Sequence, residues 1–578
     1  MIARCRIFAP PLLTIRPRLE ACGGPLLAAA AALPGPQLWG LYELADLLGL
    51  GAEYRPCLDL LLHRPVIGGA EARQILIRAF QLDLPGWKDL LARLGPRIPE
   101  GDRPLFDLEA GALTGGAEAA LAGRRRAAGR RRPAAKIQLL ARLLQQTGRR
   151  QLAARYLGLA ARARPDSRVL FQEHVIALIG LGRAARAQAL LQARRVAEPD
   201  PAPQWLAVLA YCLAELGQLQ AARALFDRIT HPQLRAGLQA WHIRLLHGLG
   251  DSAAAAAAVQ AYRGLGSQKQ ALHFLPSLSG LLDTDAAVAG LADGPGDAAE
   301  AALIAPALQT ITSWRQASAQ VGAQAAGSAA PVPRQILQYW NSPVPPADIG
   351  QIMQSWQQAE GFRYSAFNRE TARQYLLRHL GPDWAKALRN AGSPAEESDY
   401  FRLCHLMLEG GIYADCDDWL QGDAGALLRY PAGLVLFVEP FGTLANNVMI
   451  AAPRHPVIVW AAAAARRALL ERHNDSTWAK VGPGLLTRAV AWYLRQMQAE
   501  GRPPDLALPE RWELGAVVQY HTPLPYKRSK AYWNAQSLPG GVDGLAAFLA
   551  RPPALPPDLA PDLPPDMAEA GTRRTASG

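Results

Sequence analysis

The 578-residue sequence predicts a multidomain protein, an all-α helical-repeat region followed by an α/β domain from about residue 332. Two observations carry this reading. Four glycines, Gly148, Gly182, Gly217 and Gly250, recur at intervals of 34, 35 and 33 residues between Leu- and Ala-rich segments. After Pro331 the texture changes: aromatic residues become frequent and short β-branched runs alternate with helical stretches.

In chain order, residues 1–118 read as helical, with Ala- and Leu-rich runs broken by Gly and Pro and no evident chemistry. Residues 119–133 form an Arg-rich linker ending at Pro133. Its six arginines, Arg124–Arg126 and Arg130–Arg132, equal half of the net charge of +12. Such a cluster can bind nucleic acid or anionic lipid. No aromatic residues interleave for base stacking, so a solvated linker is the better reading and nucleic acid is not an expected partner. The six cysteines, Cys5, Cys22, Cys57, Cys212, Cys404 and Cys416, form no C-x-x-C pair and lack zinc-site spacing, which fits a reducing compartment. No apolar run approaches the roughly 18 residues of a membrane span. Arg4 and Arg6 precede "IFAPPLLTI", but Pro10 and Pro11 interrupt this signal-like stretch and no small-residue cleavage site follows. The expected location is cytoplasmic, with membrane association or export left open.

Residues 134–265 hold the repeats. Each spaced glycine is followed five positions later by alanine, at Ala153, Ala187, Ala222 and Ala255, and Pro165, Pro199 and Pro232 end units. Small residues at those positions let two helices approach closely, and neighbouring units then share one core. The period resembles the tetratricopeptide repeat, although Leu, Ala or Gln replace most of its usual aromatic positions. Such an array offers a surface for a protein partner. Residues 266–331 read as an irregular helical region and linker, and residues 546–578 as a Pro-rich disordered tail.

The chemistry concentrates in "SPAEESDYFRLCHLMLEGGIYADCDDWL", Ser393–Leu420. Ser393-Pro394-Ala395-Glu396 is a capping box with proline at the first helical position, and it predicts a helix to about Glu409. Tyr400, Leu403, Cys404 and Met407 form its apolar stripe. Asp399 and Arg402 lie three apart on a neighbouring face, where an ion pair with each other is the plain structural reading. Gly410-Gly411 stops the helix. "IYAD" then reads as a short buried strand, with Asp415 at the carboxyl end where open α/β sheets bind ligands. In an extended segment Asp415 and Asp417 point the same way, so both can approach one divalent ion. Hard oxygen ligands suit Mg²⁺ or Mn²⁺. Cys416 would face the opposite side. Asp418 would reach the ion through water or cap the next turn, and Tyr413 reads as a core residue.

In order, residue types and spacing this segment resembles the Ser-Asp-x-x-Arg, apolar helix, Gly-Gly-x-Tyr and Asp-x-Asp series of glycosyltransferases with the DXD sugar-binding region. These include family 32, with yeast initiating mannosyltransferases and bacterial capsule enzymes among its kin. The resemblance extends over about residues 332–535. "VPRQILQYW" at 332–340 is similar to the family's opening strand, with Gln338 where many members have histidine. "NNVMIAAPRHP" at 446–456 and "VGPGLLTRA" at 481–489 match later segments, and "YHTPLPYKRSKAYW" at 520–533 matches loosely.

The resemblance implies a GT-A-type domain over 332–545 that transfers a sugar from a nucleotide-sugar donor, with retention. Asp415 and Asp417 would hold Mn²⁺ or Mg²⁺. Asp399 and Arg402 would be the catalytic pair, holding the donor sugar. Trp340 would stack on the base, the alternative being a core aromatic at a strand end. Tyr413, Asn447 and Trp533 would complete the donor site, with His521 and Ser529 as further candidates. Lys527 and Arg528 would meet phosphate or form a surface charge pair. The acceptor would be a glycan, a lipid-linked glycan or a protein. Two rivals share the motif: a repeat scaffold with a degenerate transferase domain, and an exported effector that glycosylates a foreign protein.

Overall fold

The computed structural model describes residues 41–42, 55–62, 68–82, 87–123, 134–251, 253–255, 257–258, 261, 304–321, 331–472 and 477–528. Arg124–Arg126, Arg130–Arg132 and the 546–578 tail lie outside the described residues. The chain divides into two compact units. One holds the described residues up to Ala163 together with those from Pro523 onward, and the other is Arg164–Thr522. This division runs through the 134–265 repeat segment instead of falling near residue 331.

The first unit contains helices α1 (Arg55–Leu62), α2 (Gly69–Leu82), α3 (Trp87–Leu94), α4 (Arg103–Gly123), α5 (Ala134–Gln146) and α6 (Arg150–Ala163). Helix α4 runs past the linker boundary expected at 118 and breaks at Gly116, where φ is 81°. Leu108, Ala112, Leu139, Leu140 and Leu143 pack between α4 and α5. Buried Glu109 receives Arg73 at 3.1 Å and Arg142 at 2.6 Å, so one sealed carboxylate ties α2, α4 and α5 together.

The second unit opens with α7 (Arg168–Gly180), α8 (Ala184–Ala197), α9 (Pro203–Glu215), α10 (Leu219–Asp227), α11 (Pro232–Gly237) and α12 (Gln239–Gly248). The four spaced glycines occupy one kind of turn. Their φ values are 72°, 69°, 75° and 73° for Gly148, Gly182, Gly217 and Gly250. In each case the next residue's N–H returns to a carbonyl five positions back: Arg149 to Leu144, Arg183 to Leu178, Gln218 to Leu213 and Asp251 to Leu246, at 2.7–3.0 Å. This is a Schellman helix end, which needs a residue without a Cβ in the left-handed region. The alanines five positions on, Ala153, Ala187, Ala222 and Ala255, are fully buried. Helix α13 (Ile304–Val321) then lies within the stretch read as irregular.

The rest of this unit is a sheet between helices. Its strands are β1 (Gln335–Tyr339), β2 (Arg363–Phe367), β3 (Gly411–Ala414), β4 (Trp419–Leu420), β5 (Leu434–Val438), β6 (Leu444–Ala451), β7 (Leu506–Ala507) and β8 (Val518–Gln519). Six of them form a mixed sheet in the order β2-β1-β3-β6-β5-β7, and β4 pairs with β8 in a separate antiparallel ribbon. The connecting helices are α14 (Ala347–Gln357), α15 (Arg369–His379), α16 (Pro382–Asn390), α17 (Pro394–Glu409), α18 (Pro456–Leu470), α19 (Thr477–Lys480), α20 (Pro483–Ala499) and α21 (Arg511–Leu514).

Strand side chains alternate between two cores, as the pleat requires. Leu337, Tyr413, Leu436 and Met449 face the core shared with α17, α18 and α20. Ile336, Ile412, Val435 and Ile450 face Trp356, Leu420 and Leu514 on the other side. Each large aliphatic side chain so buried contributes about 1.5–3 kcal/mol. β1 pairs in parallel with β2 on one side and β3 on the other, so the winding reverses at β1. The carboxyl ends of β1 and β3, with Trp340 and Asp415 just beyond them, therefore meet at a topological switch point.

Candidate functional site

The helix behind the site starts and stops where the sequence indicates. Ser393 caps α17 by accepting from the Glu396 N–H at 3.2 Å, and Pro394 occupies the first helical position. The reciprocal half of the expected capping box is missing. The Glu396 carboxylate instead accepts from the Gly392 N–H at 2.8 Å and meets Lys480 at 2.8 Å and Thr477 at 3.0 Å. One carboxylate oxygen thus takes the Gly392 N–H in place of that of Ser393, and the other pairs with Lys480, which compensates the buried charge. Gly410 and Gly411 have φ of 67° and 100°. A Cβ on Gly410 would stand 2.7 Å from the Ala451 carbonyl oxygen, and one on Gly411 2.7 Å from that of Gln335. The pair thus does more than stop a helix: it lets β3 slot between β1 and β6.

Beyond β3 the chain does not stay extended, contrary to the sequence reading. The Asp418 N–H donates to the Asp415 carbonyl at 3.1 Å, so Asp415–Asp418 is a turn leading into β4. Cys416 turns inward, its thiol donating to the Tyr339 carbonyl at 3.2 Å, and burial pushes it well above the ordinary thiol range.

Arg402 braces this turn from behind. Its Nη2 lies 2.7 Å from Asp399 Oδ1, 3.0 Å from Asp415 Oδ1 and 3.1 Å from Ser398 Oγ. Nη1 donates to the Asn446 carbonyl, and the guanidinium lies 4.1 Å from the centre of the Tyr413 ring. The Tyr413 hydroxyl donates to Asp415 Oδ1 at 2.7 Å, so Tyr413 is both buried and part of the site. The Asp399–Arg402 ion pair is present, and Arg402 also spans from α17 to the acidic turn. Burial works against its charge, yet Asp415, Tyr413, Asp399 and Asp418 together hold the guanidinium above its usual value. For Asp399 the balance differs. Burial pushes its carboxyl up to about 7, against the pull of Arg402 and the Asn446 amide, with Asp415 and Glu396 adding to the rise.

Asp418 is a buried hub, fully shielded from solvent. Its carboxylate accepts from the His521 N–H at 2.8 Å and from the Asn447 amide, and its carbonyl accepts from Trp356 Nε1 at 2.6 Å. Asp418 thus does more than cap the next turn. Asn447 is buried; its carbonyl accepts from the Asp415 N–H at 2.8 Å, so it holds the turn from the β6 side. The His521 backbone helps to close the turn while its side chain is exposed, with φ of 53°. Trp340 is half-buried beside β2, donating its N–H to the Phe367 carbonyl at 2.9 Å. Gln338 is buried; it donates to the Asp415 carbonyl at 3.3 Å and accepts from the Tyr364 hydroxyl at 2.9 Å. Ser529 and Trp533 lie outside the described residues. Lys527 and Arg528 belong to the other compact unit, in a short 3₁₀ turn.

The structure therefore gathers Asp399, Arg402, Tyr413, Asp415, Asp417 and Asn447 around one turn, and adds Ser398 and Asn446. Asn446 donates from its amide to Asp399 Oδ1 at 3.0 Å. Only the doubled asparagine at 446–447 hints at this in the sequence, and the resemblance singled out its partner alone.

Residues 345–430 match the family model described as "Glycosyltransferase sugar-binding region containing DXD motif". The match includes Asp399, Arg402, Tyr413, Asp415 and Asp417 and leaves out Trp340, Asn447 and His521. Residues 345–430 are thus similar to a glycosyltransferase sugar-binding region, and Asp415-Cys416-Asp417 is an Asp-x-Asp sequence within the matched residues. A solved structure described as "PaToxG Glycosyltransferase" aligns at 16% identity over 40% of this chain and 94% of that one, with a TM-score of 0.23. No curated protein matches.

Proposed function

We propose that the region from about residue 332 is a metal-dependent, GT-A-type glycosyltransferase that moves a sugar from a nucleotide-sugar donor to a glycan, lipid-linked or protein acceptor with retention, of the family 32 kind. One observation carries this reading. The DXD turn stands at the switch point of the sheet, with Asp415 31% exposed at its side chain and braced from behind by Arg402. Asp417 is likewise part-exposed.

The site fits a hard divalent cation. Two carboxylates on a part-exposed turn supply oxygen ligands of the type Mn²⁺ or Mg²⁺ prefers. Among the described residues no group of three or more His, Cys, Asp or Glu gathers for a metal ion, and the proposal rests on this pair. Bound there, the ion would offset the charge on the departing nucleoside diphosphate. The protein's own groups do the rest. Arg402 and Tyr413 fix the Asp415 carboxylate, so the turn needs little reorganisation when a donor arrives. Asp399, held by Arg402 and Asn446, is placed to accept from a sugar hydroxyl. Trp340 follows the carboxyl end of β1, beside the β3 end that carries Asp415, and would be the aromatic that meets the donor base.

The helical hairpins are read as tetratricopeptide-like and as a surface for a protein partner or acceptor. Among the described residues no helix is long and apolar enough to cross a membrane.

The test is hydrolysis of a nucleotide-sugar panel with Mn²⁺, Mg²⁺ or EDTA, comparing wild type with Asp415→Ala/Asp417→Ala. Metal-dependent release of one nucleotide, lost in the variant, supports the transferase. No hydrolysis, together with no nucleotide binding by calorimetry, would replace it with a scaffold.

A further inference from the structure

The hairpins of the second unit press against two loops of the sheet region, and the segments after those loops carry residues that contact the DXD turn. The first loop is the β5–β6 turn. Phe441 sits there with φ of 80°, a conformation bulky residues seldom adopt, and it is buried in the same core as Leu213, Phe226 and Leu245 of the hairpins. Trp241 of α12 meets it edge-on at 5.9 Å, and the Arg244 guanidinium lies 4.6 Å from its ring centre. A Cβ on Gly248 would stand 2.7 Å from the Phe441 Cα. Three residues after this turn, β6 delivers Asn446 and Asn447.

The second loop leads into α21. Arg511 pairs with Glu215 of α9 at 3.0 Å and lies 3.8 Å from Glu439 of the first loop. Its guanidinium also lies 5.1 Å from the Tyr520 ring centre. Tyr520 in turn packs edge-on against His521, whose N–H is held by Asp418. Cβ atoms on Gly217 and Gly182 would stand 2.8 Å from Glu510 Oε1 and 2.7 Å from the Ala516 nitrogen. The glycines that shape the hairpin turns thus also let those turns seat on this loop.

We propose that the hairpins position the DXD turn. Glu215 acts through Arg511, and Trp241 and Arg244 act through Phe441, as positioning residues for Asn446, Asn447 and His521. The supporting geometry is the shared Arg511, which touches a hairpin, the β5–β6 turn and the residue beside His521. A partner bound to the hairpins would then bias the site through these two loops. The inference goes beyond the transferase reading and stands whether or not the turn binds a donor.

Hydrogen–deuterium exchange on the full chain tests it, using Arg244→Ala and Glu215→Gln. Neither residue touches the DXD turn. In both variants, exchange in peptides covering 412–421 and 444–451 should rise about tenfold, while α20 exchanges as in wild type. Unchanged exchange, or a change confined to 439–443 and 510–516, would overturn the proposal. A uniform rise that includes α20 would also overturn it, since that marks global loosening.

Discussion

Two pairs of aspartates surround the acidic turn, and they are answered in different ways. Asp418 is sealed from solvent and Asp399 is buried but for a small part of its side chain, and their oxygens meet N–H groups of Arg402, Asn446, Asn447 and His521. Asp415 and Asp417 reach solvent. Burying a carboxylate is costly unless donors compensate it, so Asp418 serves to hold the architecture, while the Asp399 side chain keeps 11% exposure beside the turn. The outer pair keeps ligand capacity at the surface. One residue type thus fills two roles, set by what the rest of the fold brings alongside.

The sharpest way to break this contrast is to remove one member from each side. Asp417→Ala should lower metal-dependent donor cleavage by about 100-fold or more, with thermal stability nearly unchanged. Asp418→Ala should do the reverse in kind, costing about 2–4 kcal/mol in urea unfolding, because the His521 N–H and the Asn447 amide lose their acceptor. Equal effects on both readouts would erase the distinction.

The pH response probes Asp399 alone. With the Asp399 carboxyl near 7 in the folded protein against 3.8 as its ordinary value, the native state holds a proton that the unfolded chain releases. Its contribution is favourable at low pH and is lost as pH rises from about 4 through about 7. Asp399→Asn should therefore flatten stability over that window, measured as urea midpoints at successive pH values. The smallest expected effect is at Gly482. A methyl there would stand 3.0 Å from Asp399 Oδ2. Gly482→Ala should cost about 1 kcal/mol in stability, at the low end for overpacking, and a few-fold in donor cleavage.

What was legible in the sequence is what local chemistry dictates. Proline and serine mark the start of α17 and two glycines its end, so its bounds follow from capping rules. The four spaced glycines announce their turns, because the left-handed helix end has few alternatives to glycine. The position of Asp415 at a strand end follows from β3 being short and apolar. The roles of Asp418, Asn446 and Glu396 were not legible. Each is decided by a group far along the chain: Asp418 by His521, Asn446 by Asp399, Glu396 by Lys480. No spacing rule carries such pairings. The bend at Asp415–Asp418 was missed for the same reason, since Asp-Cys-Asp-Asp is compatible with a strand until β8 arrives to pair with β4.

The four-residue β3 acts as a ruler. It is clamped at one end by Gly410 and Gly411, which tolerate no side chain, and opens at the other into the acidic turn. One residue more or fewer would exchange its two faces, sending Tyr413 away from Arg402 and turning the carboxylates toward the wrong core. Substitutions can accumulate around this segment over evolutionary time. A change of length between Arg402 and Asp415 breaks the frame in one step.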